Sequence, residues 1–131
     1  MSLGIGGSCR KVLEDDVSVI YEYYSYNLNK NKDRKYDGLI LIMKECLIEP
    51  EIHERVRKRP SGKKHLVIKR IPRDIPLLEL ITSGAVQIEN CSGTWKKSEG
   101  GVDISAIRLC RGLMTEYQET GVLPESFGYG K

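Results

Sequence analysis

The sequence predicts an α+β fold: an antiparallel, meander-like sheet of about four to five strands, one main C-terminal amphipathic helix, and a short helix after strand four. Three observations carry that expectation. Residues 17–43 hold two runs rich in β-branched and aromatic or aliphatic residues without helical spacing. Residues 47–71 alternate in polarity and then turn back through a Pro-Ser-Gly sequence. Residues 103–120 repeat apolar side chains at three- and four-residue steps. A sheet with one apolar face and a helix with one apolar stripe bury each other, which is the α+β arrangement.

The elements follow in order. The first eleven residues contain Gly4, Gly6 and Gly7 and are expected to form a flexible N-terminal segment. From Val17 to Tyr26 the run Val-Ser-Val-Ile-Tyr-Glu-Tyr-Tyr-Ser-Tyr reads as a strand. A polar loop over 27–35 leads to a second strand over 36–43, so the pair is a hairpin with a long charged tip. In the third strand, 47–58, Ile48, Ile52 and Val56 share one parity while Glu49, Glu51, His53, Arg55 and Arg57 share the other. Pro50 places that strand at an edge or a bulge, because proline cannot donate to a ladder. The turn Arg59-Pro60-Ser61-Gly62-Lys63 returns the chain to a fourth strand over 65–71.

Pro72 and Pro76 end the sheet pattern. Asp74 is the expected cap of a short helix over 76–82, with Gly84 ending it. Residues 85–91 form a fifth short strand, and 92–101 a loop that carries Trp95. The main helix runs over 103–120, with Ile104, Ile107, Cys110, Leu113, Met114 and Tyr117 on its apolar face. Asp103 is its N-cap and Gly121 the left-handed residue after its last turn. Residues 122–131 are a tail.

Composition bounds the rest. At 131 residues the length suits a single domain spanning 1–131, and no repeat or linker divides it. Hydrophobic residues at 40% and charged residues at 30% exclude wholesale disorder. The longest apolar run, 38–43, falls far short of the ~20 residues that cross a bilayer. The N-terminus has neither a basic nor a long apolar region, so no signal peptide is expected and the protein is read as cytoplasmic, without a membrane partner. Cys9, Cys46, Cys91 and Cys110 lack the C-x-x-C spacing of zinc and redox sites and read as free thiols. Cys46 and Cys110 are small buried hydrophobes. No metal-ligand spacing surrounds His53 or His65, and no cofactor motif is present.

Charge is the most informative feature. Nine of the 21 Lys and Arg residues fall between Arg55 and Arg73 with no acid among them. The remainder, twelve cations against 18 acids, is net −6. A basic hairpin on an acidic body makes a local positive field that attracts phosphates or acidic groups. Arg55, Arg57, Arg59, Lys63, Lys64 and Arg70 are the candidate anion- or partner-binding residues, and the period-two pattern puts His53, Arg55, Arg57 and Arg59 on one ridge. Against this stands a solvated face, in which Glu45, Glu49, Glu51 and Glu54 pair across strands with Lys64, Lys69 or Arg70. Residues 53–73 contain no Phe, Tyr or Trp, so the stacking platform of single-strand binders is missing.

Four further features have two readings each. Tyr21, Tyr23, Tyr24 and Tyr26 split into two faces of a strand, one packing under the helix and the other shielding the sheet or lining a groove or dimer surface. The stretch Gly4-Ile5-Gly6-Gly7-Ser8-Cys9-Arg10-Lys11 is no P-loop, yet it offers a nucleophilic Cys9 with His53 or His65 as base, or simply a mobile terminus. The acids 14–16 and 49–51 are cation ligands or surface punctuation. Trp95 is a partner anchor or the edge of the core. The reading that follows is a non-catalytic interaction domain recognising an acidic or phosphate-bearing partner, nucleic acid or an acidic protein, through the hairpin over 53–73. The alternatives are a small enzyme with Cys9 as nucleophile and a homo-oligomer built on a strand edge or the tyrosine face.

Overall fold

Val19, Tyr21 and Tyr23 alternate along β2 (Ser18–Asn27) and are fully buried beneath a helix, while Ile20, Glu22 and Tyr24 on the opposite face are half-buried. The computed structural model describes residues 5–27, 35–58 and 64–130; for 53, 55–58, 64–68 and 130 it describes the backbone alone. β2 is the central strand of a five-stranded antiparallel sheet ordered β6-β3-β2-β1-β7. The fold is α+β, as the sequence predicts: this sheet, a long helix α2 (Ile104–Thr120) and a short earlier helix α1 (Leu77–Ser83).

The sheet corrects the expectation at both chain ends. The segment 1–11, read as flexible, is from Ile5 onward part of strand β1 (Ile5–Glu14), paired along its length with β2 from Ile5↔Asn27 to Glu14↔Val19. Its glycines serve close approach rather than mobility: a Cβ on Gly6 would lie 2.4 Å from Tyr129 O and 2.7 Å from the Tyr26 hydroxyl. The tail likewise holds strand β7 (Ser126–Gly130), paired with the other edge of β1 through Cys9↔Phe127. A bulge at Val12 breaks the β1–β2 register and leaves Val12 and Leu13 exposed.

The meander also ends earlier than expected. β3 (Gly38–Met43) pairs with β2 on one side, and its other edge is taken by β6 (Val86–Glu89), with Leu39 opposite Glu89. A 3-10 turn over Lys44–Cys46 and the stretch through buried Pro50 then carry the chain off the sheet. Hence β4 (Glu51–Lys58) and β5 (Lys64–Ile71) pair only with each other, as a separate two-stranded ribbon. β4 starts after Pro50, since a residue without an N–H cannot donate to a ladder.

Helix signals are closer to the outcome. α1 follows Pro76, with no side-chain cap, so the expected capping by Asp74 does not occur; Gly84 ends the helix at φ 88°. Asp103 caps α2 by accepting from the Ser105 amide, and Gly121 ends it at φ 83°. The buried stripe of α2 runs through Ala106, Leu109, Cys110, Leu113 and Met114, rotated slightly from the predicted face so that Ile104, Ile107 and Tyr117 flank it. This stripe closes the core on Cys9, Val19, Tyr21, Tyr23, Ile40 and Ile42 of the sheet. Among the described residues no helix is long and apolar enough to cross a membrane.

Candidate anion-binding ribbon

The ribbon is held at its base by the carbonyl end of α2. Gln118, nearly inaccessible, clamps the backbone of Arg73 with both halves of its amide: Nε2 donates to Arg73 O at 2.9 Å, and Oε1 accepts from Arg73 N at 2.6 Å. Arg70 Nη1 donates to Gln118 O at 3.2 Å and the guanidinium lies against Gly121. A cation there meets the unsatisfied carbonyls and negative dipole end of the helix. Tyr117 donates its hydroxyl to the Glu49 carboxylate, and the anion beside it raises the phenol's pKa. These contacts fix where the ribbon leaves the body.

Beyond the base, the ladder orders the ribbon. Glu51, His53, Arg55 and Arg57 pair with Ile71, Lys69, Val67 and His65; Ile52, Glu54, Val56 and Lys58 pair with Arg70, Ile68, Leu66 and Lys64. Directly paired positions belong to one face of a ribbon, so the register divides these positions into two sets. The set that contains Arg70 also holds Ile52, Glu54, Val56, Lys58, Lys64, Leu66 and Ile68, and from it Arg70 reaches the end of α2. The other set collects Glu51, His53, Arg55, Arg57, His65, Val67, Lys69 and Ile71, so each set has three Lys or Arg and one acid, and the two histidines fall in the second. Sequence parity anticipated the β4 half of this grouping; the addition of His65 and Lys69 comes from the register.

Of the expected binding residues, Arg59 and Lys63 lie outside the described residues, and for His53, Arg55, Arg57 and Lys64 the backbone alone is described. Arg70 is engaged by the end of α2 rather than standing apart from the body. Of the acids suggested to pair across strands, Glu49 accepts from the Tyr117 hydroxyl.

The nucleophile reading of Cys9 meets a clear obstacle. Cys9 sits on the helix-facing side of β1 with no accessible surface, and burial pushes its thiol pKa up to about 12. The thiolate that would attack a substrate is therefore suppressed, because a charged sulfur in an apolar core loses its solvation. All four cysteines are free.

The acids at 14–16 have structural partners. Glu14 bridges Lys11 at 2.7 Å and Lys44 at 2.8 Å, while Asp15 Oδ1 accepts from the amides of Val17 and Ser18. They act as turn punctuation between β1 and β2.

The tyrosines divide by face as predicted. Tyr21 donates to Pro124 O at 2.5 Å and Tyr23 to Asp103 Oδ2 at 2.8 Å, both beneath α2. On the opposite face Tyr24 meets Tyr36 edge-on at 4.8 Å, and the Arg10 guanidinium covers the Tyr36 ring at 3.9 Å. Trp95 is half-buried, its Nε1 without an acceptor among the described residues.

A buried polar centre escaped the sequence reading. Asp103 is inaccessible, and its Oδ2 gathers the hydroxyls of Tyr23 at 2.8 Å, Thr94 at 3.1 Å and Ser25 at 3.2 Å, with Cys91 Sγ at 3.7 Å. The Tyr23 hydroxyl also accepts from Cys91 N at 3.0 Å. Burial, together with the neighbouring carboxylate, raises the Tyr23 pKa. With donors from β2, the 91–94 turn and α2 on its two oxygens, Asp103 fastens those segments together. The only signal for it in the sequence was the N-cap; Tyr23 and Ser25 lie about 80 residues away in the chain. A groove of about 590 Å³ opens nearby between α1 and the 98–102 loop, lined by Leu78, Ile81, Ser98, Val102 and Ile107.

Compared with protein-family models, curated proteins and solved structures, the chain finds no match in any of the three.

Proposed function

We propose that this protein is a non-catalytic interaction domain that recognises a phosphate-bearing or acidic partner through the β4–β5 ribbon. The observation that carries the reading is the coincidence of charge and architecture. Nine cations and no acid lie in 55–73, and the ribbon containing most of them shares no ladder with the main sheet. In the register, positions 53, 55, 57, 65 and 69 share one set and positions 58, 64 and 70 the other, so basic residues lie in both. The net −6 of the remaining chain concentrates the attraction for anions on that one feature. Burial of Cys9 supports a binding role over nucleophilic catalysis.

The test is salt-gradient elution from heparin, a generic sulfated polyanion. The wild-type chain is expected to be retained, and Arg55→Glu/Arg57→Glu to elute at much lower salt with an unchanged thermal melt. Equal retention of the two proteins overturns the reading, because it moves the anion site off the ribbon.

A further inference from the structure

We infer that the phosphate-bearing partner is double-stranded DNA, with the ribbon lying in its major groove. The inference rests on the functional reading above and narrows it to one class of partner, by shape, spacing and composition.

Shape comes first. A two-stranded antiparallel ribbon is one of the two protein elements that the ~12 Å major groove of B-DNA admits; strands enter the ~6 Å minor groove where the duplex is bent or widened. Eight consecutive cross-strand pairs, Glu51↔Ile71 to Lys58↔Lys64, form the ladder. At ~3.4 Å per residue that is roughly 24 Å, about two-thirds of one ~34 Å helical turn. Among the described residues the ribbon belongs to no larger sheet, and Ile52, paired with Arg70, is 53% exposed.

Spacing comes second. Arg55 and Arg57 occupy alternate positions of one strand, ~6.8 Å apart along it. Lys69, opposite His53, extends the same set on β5. Cations at that repeat match successive phosphates of one nucleic-acid strand, and arginine forks suit both phosphate oxygens and the acceptor edge of guanine.

Composition excludes the neighbouring classes of nucleic acid. Residues 51–71 hold no Phe, Tyr or Trp, so the ribbon offers no platform for the splayed bases of single strands. Duplex RNA hides its bases in a deep, narrow major groove that side chains do not enter. Outside residues 51–71 the chain carries 13 cations and 16 acids, and this net −3 repels the phosphate rails on either side of the ribbon.

The experiment is fluorescence anisotropy of the full chain with a labelled duplex of about 20 bp, two helical turns, at about 50 and 200 mM salt. Single-stranded DNA of the same sequence, duplex RNA and heparin serve as competitors. Expected is duplex DNA binding at least tenfold tighter than either other nucleic acid. Its log-log salt slope should be near −4 for about four to five phosphates, falling by about 2 in Arg55→Gln/Arg57→Gln. Methyl green, which occupies the major groove, should displace the protein, and netropsin, which occupies the minor groove, should not. As a control, Lys96→Gln/Lys97→Gln, exposed cations away from the ribbon, should leave the affinity unchanged. Equal or tighter binding to single strands or duplex RNA, or displacement by netropsin alone, overturns the DNA inference while the ribbon reading stands. Heparin binding without duplex binding does the same. Absence of binding to every polyanion at the lower salt overturns both.

Discussion

The sheet–helix body and the β4–β5 ribbon are built on opposite principles. The body buries Tyr21, Tyr23, Ile40, Leu109 and Leu113 and encloses a carboxylate whose oxygens are met by donors from three segments. Among the described residues the ribbon is one two-stranded ladder, and residues 51–71 carry eight Lys and Arg against two Glu. Burial makes the body intolerant of change, because each removed atom leaves a cavity or an unmet polar group. In the proposed reading the ribbon's basic residues meet a partner, so they are free to be chosen for recognition. Stability and binding are thereby assigned to different parts of a small chain.

The largest expected effect breaks the body at its polar centre. Asp103→Ala removes the cap of α2 and takes the acceptor from the buried Tyr23 hydroxyl. A loss on the order of 3–4 kcal/mol in urea unfolding is expected. Next is Gly38→Ala. Its Cβ would fall 2.2 Å from Tyr23 Cε1, on a ring that cannot swing away because its hydroxyl is tied to Asp103 and to the Cys91 amide. Overpacking of that kind costs about 2–3 kcal/mol.

Gln118→Ala sharpens the comparison by cutting the link between the two regions. Losing the clamp on Arg73 should cost about 1–3 kcal/mol and accelerate amide exchange across β4 and β5 more than in β1–β3. Uniform acceleration would show that the ribbon opens only with the whole molecule.

The smallest effect is electrostatic and lies at the β1–β2 turn. Hydrogen bonds from Lys11 and Lys44 lower the Glu14 carboxyl from 4.5 to about 2. A depressed carboxyl pKa contributes stability that is complete above pH about 4.5 and disappears as pH falls toward about 2. Glu14→Gln should therefore flatten that part of the acid limb in urea melts, by under about 1 kcal/mol because the pair is partly exposed to solvent.

Legibility in the sequence followed the range of the interactions. Asp103 and Gly121 marked the ends of α2, and Gly84 the end of α1, because caps act within one turn. Asp74 was misleading: its residue type suits a cap, but the chain enters α1 through Pro76 without one. The ribbon's pairing was legible because alternation and turn-forming residue types are local signals; the expected turn over 59–63 lies outside the described residues. Its separation from the main sheet was not, since that depends on β6 taking the edge of β3 from more than 40 residues away. The glycines of β1 pointed to mobility until Tyr26 and Tyr129 were seen packed against them. Cys9 looked available for chemistry only while its strand was taken for a free terminus.

What the sequence determined by itself is therefore the class of fold, the two helices and their stops, the β2–β3 and β4–β5 hairpins, and the segregation of positive charge into 55–73. Each follows from periodicity, turn chemistry or composition, which operate over a few residues or need no geometry at all. Only the tertiary structure decided the strand order, the recruitment of both chain ends into the sheet, the Asp103 centre, and the anchoring of Arg70 at the end of α2. Those depend on contacts between residues far apart in the chain, where many pairings satisfy the same local pattern and packing selects one.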